Sequence, residues 1–166
     1  ARACVRAAYE FEGPVYMRFG RLATPIINDR EDYEFKIGRG VVVREGSDVT
    51  IVACGLMVGE ALEAAEALTA DGIDAEVINM HTIKPLDERL VVASAKKTGC
   101  VVTVEEHSII GGLGEAVATV LAEQHPVPIR RVGVRDVYGE SGPAVDLLHK
   151  CGLDAEGIEA AVRSVL

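Results

Sequence analysis

Val102 to Val117 reads VTVEEHSIIGGLGEAV: an apolar strand runs into two acidic residues and a histidine, then into a double glycine that opens a helix. Its apolar start shows no polar alternation, as expected of a parallel strand buried on both faces. A strand followed by a helix is one unit of a layered α/β domain, and the chain repeats that unit on either side. Val41 to Arg44 and Asp48 to Cys54 are predicted strands parted by Glu45-Gly46-Ser47, a spacing compatible with an antiparallel hairpin. Val58, Ala61, Leu62, Ala65 and Leu68 share one face of a helix that Gly72 closes. Ala75 to Asn79 is the next strand, Asp87 caps a helix through Lys97, and Cys100 to Val104 is a buried strand. Gly112 to Glu123 is then helical and Pro128 to Val134 a strand; Pro143 opens a helix ended by Gly152, and Asp154 caps the last one. Right-handed crossovers turn this order into a three-layer α/β/α sandwich around a mostly parallel five-stranded sheet with one antiparallel strand.

The first forty residues follow another pattern. Ala1 to Phe11 places Cys4, Ala7, Ala8 and Phe11 at helical spacing, yet no Ser, Thr, Asp or Asn precedes it as an N-cap. A helix without a start signal points to a cut inside a longer protein. Val15 to Phe19 reads as a strand between glycines, and Leu22 to Gly40 loses periodicity, with Pro25, Asn28, Asp29, Asp32 and Gly38. The predicted division is therefore 1–21 as the tail of one domain, 22–40 as a linker whose Ile26-Ile27 and Tyr33 to Ile37 pack on a neighbour, and 41–166 as a complete domain.

Composition narrows the function classes. With 166 residues and 49% hydrophobic content the chain can bury a substantial core. Seventeen basic against 26 acidic residues give a net charge of −9, which speaks against nucleic acid or an acidic membrane as partner. The apolar runs are too short to cross a bilayer and no signal peptide stands at the start, so a cytoplasmic protein is expected. Cys4, Cys54, Cys100 and Cys151 lack CxxC spacing and are expected to be reduced thiols packed as small hydrophobes.

Few residues suggest chemistry on their own. Gly111-Gly112-Leu113-Gly114 could aim backbone N–H groups at an anion, or could supply a positive φ and let the helix sit close to the sheet. Its order is neither that of the dinucleotide fingerprint nor that of a P-loop. Glu105, Glu106 and His107 stand where a strand should end, either as an acid/base group or as a polar exit that caps nearby amides. His81, His125 and His149 are isolated. Arg18 and Arg21 flank a strand end three residues apart and could reach one anion.

Three stretches in this order, Gly13-Pro14-Val15-Tyr16-Met17-Arg18-Phe19-Gly20-Arg21, Thr82-Ile83-Lys84-Pro85-Leu86-Asp87 and Val102 to Val117, make the chain resemble the C-terminal section of transketolases, and the likeness extends through Tyr138 to Leu153. The resemblance implies the end of a pyrimidine-binding domain followed by the C-terminal domain. The complete enzyme would be a homodimer dependent on thiamine diphosphate and Mg, moving two-carbon ketol units between sugar phosphates of the pentose phosphate pathway. Cofactor and metal would be held by upstream transketolase domains or an N-terminal subunit, not by this segment, which would be inactive alone. Arg21, and with it Arg18, takes the role of contact to the substrate phosphate; Gly20 stands where many transketolases carry serine. Deoxyxylulose phosphate synthases and 2-oxo acid dehydrogenase β subunits share the C-terminal fold, but the former usually show Tyr-Pro-Arg-Gly where this chain has Phe19-Gly20-Arg21-Leu22. Rival readings are a stand-alone nucleotide or effector-binding module and a purely structural interaction domain.

Overall fold

A computed structural model describes residues 1–28 and 33–166; Asp29 and Asp32 of the predicted linker lie outside the described residues. In chain order the elements are α1 (Arg2–Glu10), β1 (Val41–Arg44), β2 (Val49–Ala53), α2 (Met57–Ala70), β3 (Ala75–Asn79), α3 (Glu88–Thr98), β4 (Val101–Ser108), α4 (Leu113–Gln124), β5 (Ile129–Val134), α5 (Ala144–Lys150) and α6 (Ala155–Arg163). The five strands form one sheet in the order β1-β3-β2-β4-β5. β2 pairs in parallel with β3 and β4, and β4 with β5, while β1 runs antiparallel along β3. This is the predicted three-layer α/β/α sandwich.

Burial explains the layers. β2 and β3 are buried at every residue, so both faces of the sheet centre must be covered. One face packs Val49, Ile51, Val77 and Val102 against Val58, Ala61, Ala65 and Leu68 of α2 and Ile158 and Val162 of α6. The other packs Val52, Ile78 and Val101 against Val91 and Ala95 of α3 and Val117 and Leu121 of α4. The caps are those read from the sequence: Asp87 accepts a hydrogen bond from Leu90 N, and Asp154 from Gly157 N. Asp87 also accepts one from Gly40 N at 3.1 Å, which ties the linker's end to α3.

Four expectations are corrected. β1 and β2 do not form a hairpin, because β3 lies between them. The connection passes over the start of β3: Ser47 N and Asp48 N donate to Asp74 O, and a Cβ on Gly46 would overlap the Ala75–Glu76 peptide. Val15 to Phe19 is not a strand, since it pairs with none of the described strands and stays exposed along its length. A strand exists only with a partner to take its N–H and C=O groups. β4 does not end at Val104; across a shift in register it continues to Ser108, which pairs with Val134. Finally, Cys100 is buried but Cys151 is exposed, so the thiols do not share one environment.

The linker is partly docked. Ile27 packs against the α2 and α6 face of the core, and Phe35 stacks on His81 with ring centroids 4.4 Å apart. Ile26 is 85% exposed.

Candidate functional site

The carboxyl ends of the parallel strands are where an open α/β sheet places its ligands. Here that edge gathers Cys54 after β2, His81 after β3, and Glu105, Glu106 and His107 in the last part of β4. Two of its charged side chains are tied to backbone groups: Arg18 to the Glu106 carbonyl and Glu105 to amides at the start of α4. Glu105 is 1% exposed, and its carboxylate accepts hydrogen bonds from Leu113 N at 2.7 Å and Gly114 N at 2.8 Å. An internal carboxylate thus occupies the positive end of α4, and Glu115 takes the Gly111 N–H at 2.9 Å. The glycines follow from this arrangement: Gly111 has φ +75°, and a Cβ at Gly112 would overlap the Glu105 carboxylate. The loop is therefore a capped helix start and not an open anion cradle, and Glu105 caps amides instead of forming an acid/base group with Glu106 and His107.

The setting of Cys54 disfavours its thiolate. Burial, then Glu105 and Glu106, push its thiol up to about 12 against the opposing effect of Arg18. His81 is half-buried, and burial lowers its basicity. Its Nδ1 lies 3.2 Å from Thr82 Oγ1, and its Nε2 is covered without a hydrogen-bond partner among the described residues. Nothing in the spacing of a lone histidine announced this environment, although His81 directly precedes the Thr82 to Asp87 stretch.

The two arginines are placed differently. Arg18 donates to the backbone carbonyl of Glu106 at 2.7 Å and so lays the segment around it beside the end of β4. Arg21 is exposed, with no hydrogen bond or ion pair among the described residues. At Gly20 a Cβ would come 3.8 Å from Glu106 Oε2, so a serine side chain would fit there. Among the described residues no group of three or more His, Cys, Asp or Glu side chains converges to hold a metal ion. No described helix is long and apolar enough to cross a membrane.

Residues 38–158 match the family model described as "Transketolase, C-terminal domain". A 6-deoxy-6-sulfo-D-fructose transketolase subunit of Clostridium sp. (strain MSTE9) is 52% identical over 98% of this chain and 52% of its own length. An apulose-4-phosphate transketolase subunit of Phocaeicola vulgatus is 40% identical over 95% of this chain and 50% of its own. A 1-deoxy-D-xylulose-5-phosphate synthase of Heliobacterium modesticaldum is 42% identical over 97% of this chain, but only 25% of that protein is covered. A solved structure described as "Split gene transketolase, inactive beta4 tetramer" superposes with a TM-score of 0.95 at 55% identity, covering 99% of this chain and 54% of the other. The chain thus spans about half the length of the transketolase subunits it matches.

Proposed function

The chain belongs to the transketolase C-terminal domain family, and on that footing we propose that it is the C-terminal part of a thiamine diphosphate-dependent transketolase, a transferase of two-carbon ketol units between anionic sugars. The observation that carries the reading is the Gly13 to Arg21 segment. Arg18 fixes it at the ligand edge of the sheet while Tyr16, Phe19 and Arg21 stay exposed. In this proposal residues 1–21 complete a pyrimidine-binding domain supplied by upstream transketolase domains or an N-terminal subunit, 22–40 link it, and 41–166 form the C-terminal domain. The complete enzyme is a homodimer.

This reading implies thiamine diphosphate and Mg²⁺, and Glu105 already fills the α4 helix start that could face a diphosphate. We assign both to the upstream part, where the cofactor supplies the electron sink for carbon–carbon bond exchange. The present residues bind and orient: Arg21 meets the terminal anion of the sugar as a planar fork, and Arg18 positions the backbone that carries it. A guanidinium serves phosphate and sulfonate alike, which agrees with the sulfo-sugar in one relative's name.

The test mixes the chain with its upstream half and follows ketol transfer from a ketose phosphate and from 6-deoxy-6-sulfofructose. Activity is expected only from the mixture, and Arg21→Ala should raise KM for the anionic donor by about ten- to a hundredfold while an uncharged ketose is unaffected. Turnover by the chain alone, or equal losses for both donor types, would overturn the assignment.

A further inference from the structure

The sheet ends at β5, whose outer edge pairs with no described strand. Two open grooves of about 460 and 360 Å³ flank that edge, the first on the α4 side and the second on the α6 side. Both are lined by Arg130, Arg131 and Arg135, and neither contains a carboxylate. That is a local inversion in a chain of net charge −9. The arginines are also weakly compensated. Arg130 donates to Ser164 Oγ at 3.2 Å, Ser164 O at 3.4 Å and its own neighbour Ile129 O at 3.2 Å, all neutral acceptors. Arg131 donates to Ile109 O at 2.9 Å and lies 3.7 Å from Glu115 Oε1. Arg135 has no carboxylate within ion-pair distance among the described residues.

We propose that the free edge of β5 is a docking site for an extended acidic segment of a partner polypeptide, which adds as a further strand and places its carboxylates on Arg130, Arg131 and Arg135. An unpaired edge offers a row of N–H and C=O groups that only another extended backbone can use in register. The grooves are open and follow β5 from Arg130 to Arg135 just past its end, with Gly157, Ala160 and Ala161 on the far wall of the second, so they suit a chain's alternating side chains. Arginines that merely guard an edge from aggregation sweep it freely. Arg130 and Arg131 are instead tied back by hydrogen bonds, one reaching Ser164 beyond α6 and the other Ile109 before α4, so their positions are set before a ligand arrives. A second copy of this chain is disfavoured, because edge-to-edge pairing would set the arginines against one another.

This site is independent of ketol transfer, and its test needs neither cofactor nor sugar. The probe is a short fluorescein-labelled peptide alternating Glu and Val, titrated into the 166-residue chain at low and at physiological salt. Saturable binding is expected, with slowed amide exchange in Ile129–Val134. Arg135→Glu and Arg130→Gln should each weaken it about tenfold with unchanged circular dichroism, whereas Arg163→Gln, an arginine paired with Asp71 and Glu159, should not. Absence of saturable binding overturns the proposal. So do equal affinity for a peptide N-methylated on its pairing side, which would leave charge alone, displacement by stoichiometric pyrophosphate, which would mean a small-anion site, and dimerisation of the chain through this edge.

Discussion

Val49 to Ala53 and Val15 to Phe19 are both short apolar runs next to glycine-containing turns, yet the first is buried at every position while Tyr16 is 88% and Phe19 55% exposed. The difference lies in the neighbours. β2 has β3 on one side, β4 on the other and helices over both faces; among the described residues Val15 to Phe19 has one hydrogen bond, from the Arg18 side chain to Glu106. An apolar run specifies that a segment wants to be covered, and the rest of the protein decides whether it is.

Amide exchange should break or sharpen that contrast most strongly. In the isolated chain Val15 to Phe19 should exchange orders of magnitude faster than Val101 to Val104, and should slow when the upstream half is added. Equal protection in a dilute monomer would move the domain boundary away from Leu22. Core truncation comes next. Ile51→Ala should cost about 2–5 kcal/mol in denaturant unfolding, whereas Phe19→Ala should stay within about 0.5 kcal/mol. A large loss at Phe19 would place it in the cooperative unit.

The polar end of β4 offers a finer comparison with its apolar start. Glu105→Gln keeps the volume but turns one N–H-accepting oxygen into a donor facing the start of α4, and should destabilise by about 1–3 kcal/mol. Unchanged stability would show that the two amide bonds add nothing.

The smallest effects are in histidine titration. The hydrogen bond to Asp154 raises exposed His149 above the ordinary 6.5, and burial lowers His81 below it. The signs oppose. His149 adds stability that is present below 6.5 and lost as pH rises through its folded value, whereas the His81 penalty is absent above 6.5 and grows as pH falls toward its folded value. Proton NMR should find His149 titrating above His81, and Phe35→Ala should bring His81 back toward 6.5 if linker docking is what buries it.

The layers, helix faces and caps were legible in the sequence because each rests on a local signal, such as Asp87 before α3 and Asp154 before α6. The sheet order was not, since β3 enters between β1 and β2 for reasons that neither strand encodes. The length of β4 was hidden too. Acidic residues argue against a buried strand unless donors satisfy them, and the amides of α4 that donate to Glu105 are invisible until the helix is folded onto the sheet. At the candidate site, Arg21 was singled out by resemblance and its role is a proposal, whereas the Arg18 bond joins residues 88 apart in sequence and leaves no local trace.

The passage of Gly46 over the start of β3 has a consequence in time as well as in space. Synthesis delivers β1 and β2 before β3, so the two can meet as a local hairpin while their true common neighbour is still unmade. The native sheet requires that β3 end up between them, whichever of its edges pairs first. Correct assembly therefore depends on the early hairpin being the weaker pairing, and a tighter turn at Glu45 to Ser47 would favour the wrong sheet by stabilising a contact that has to come apart.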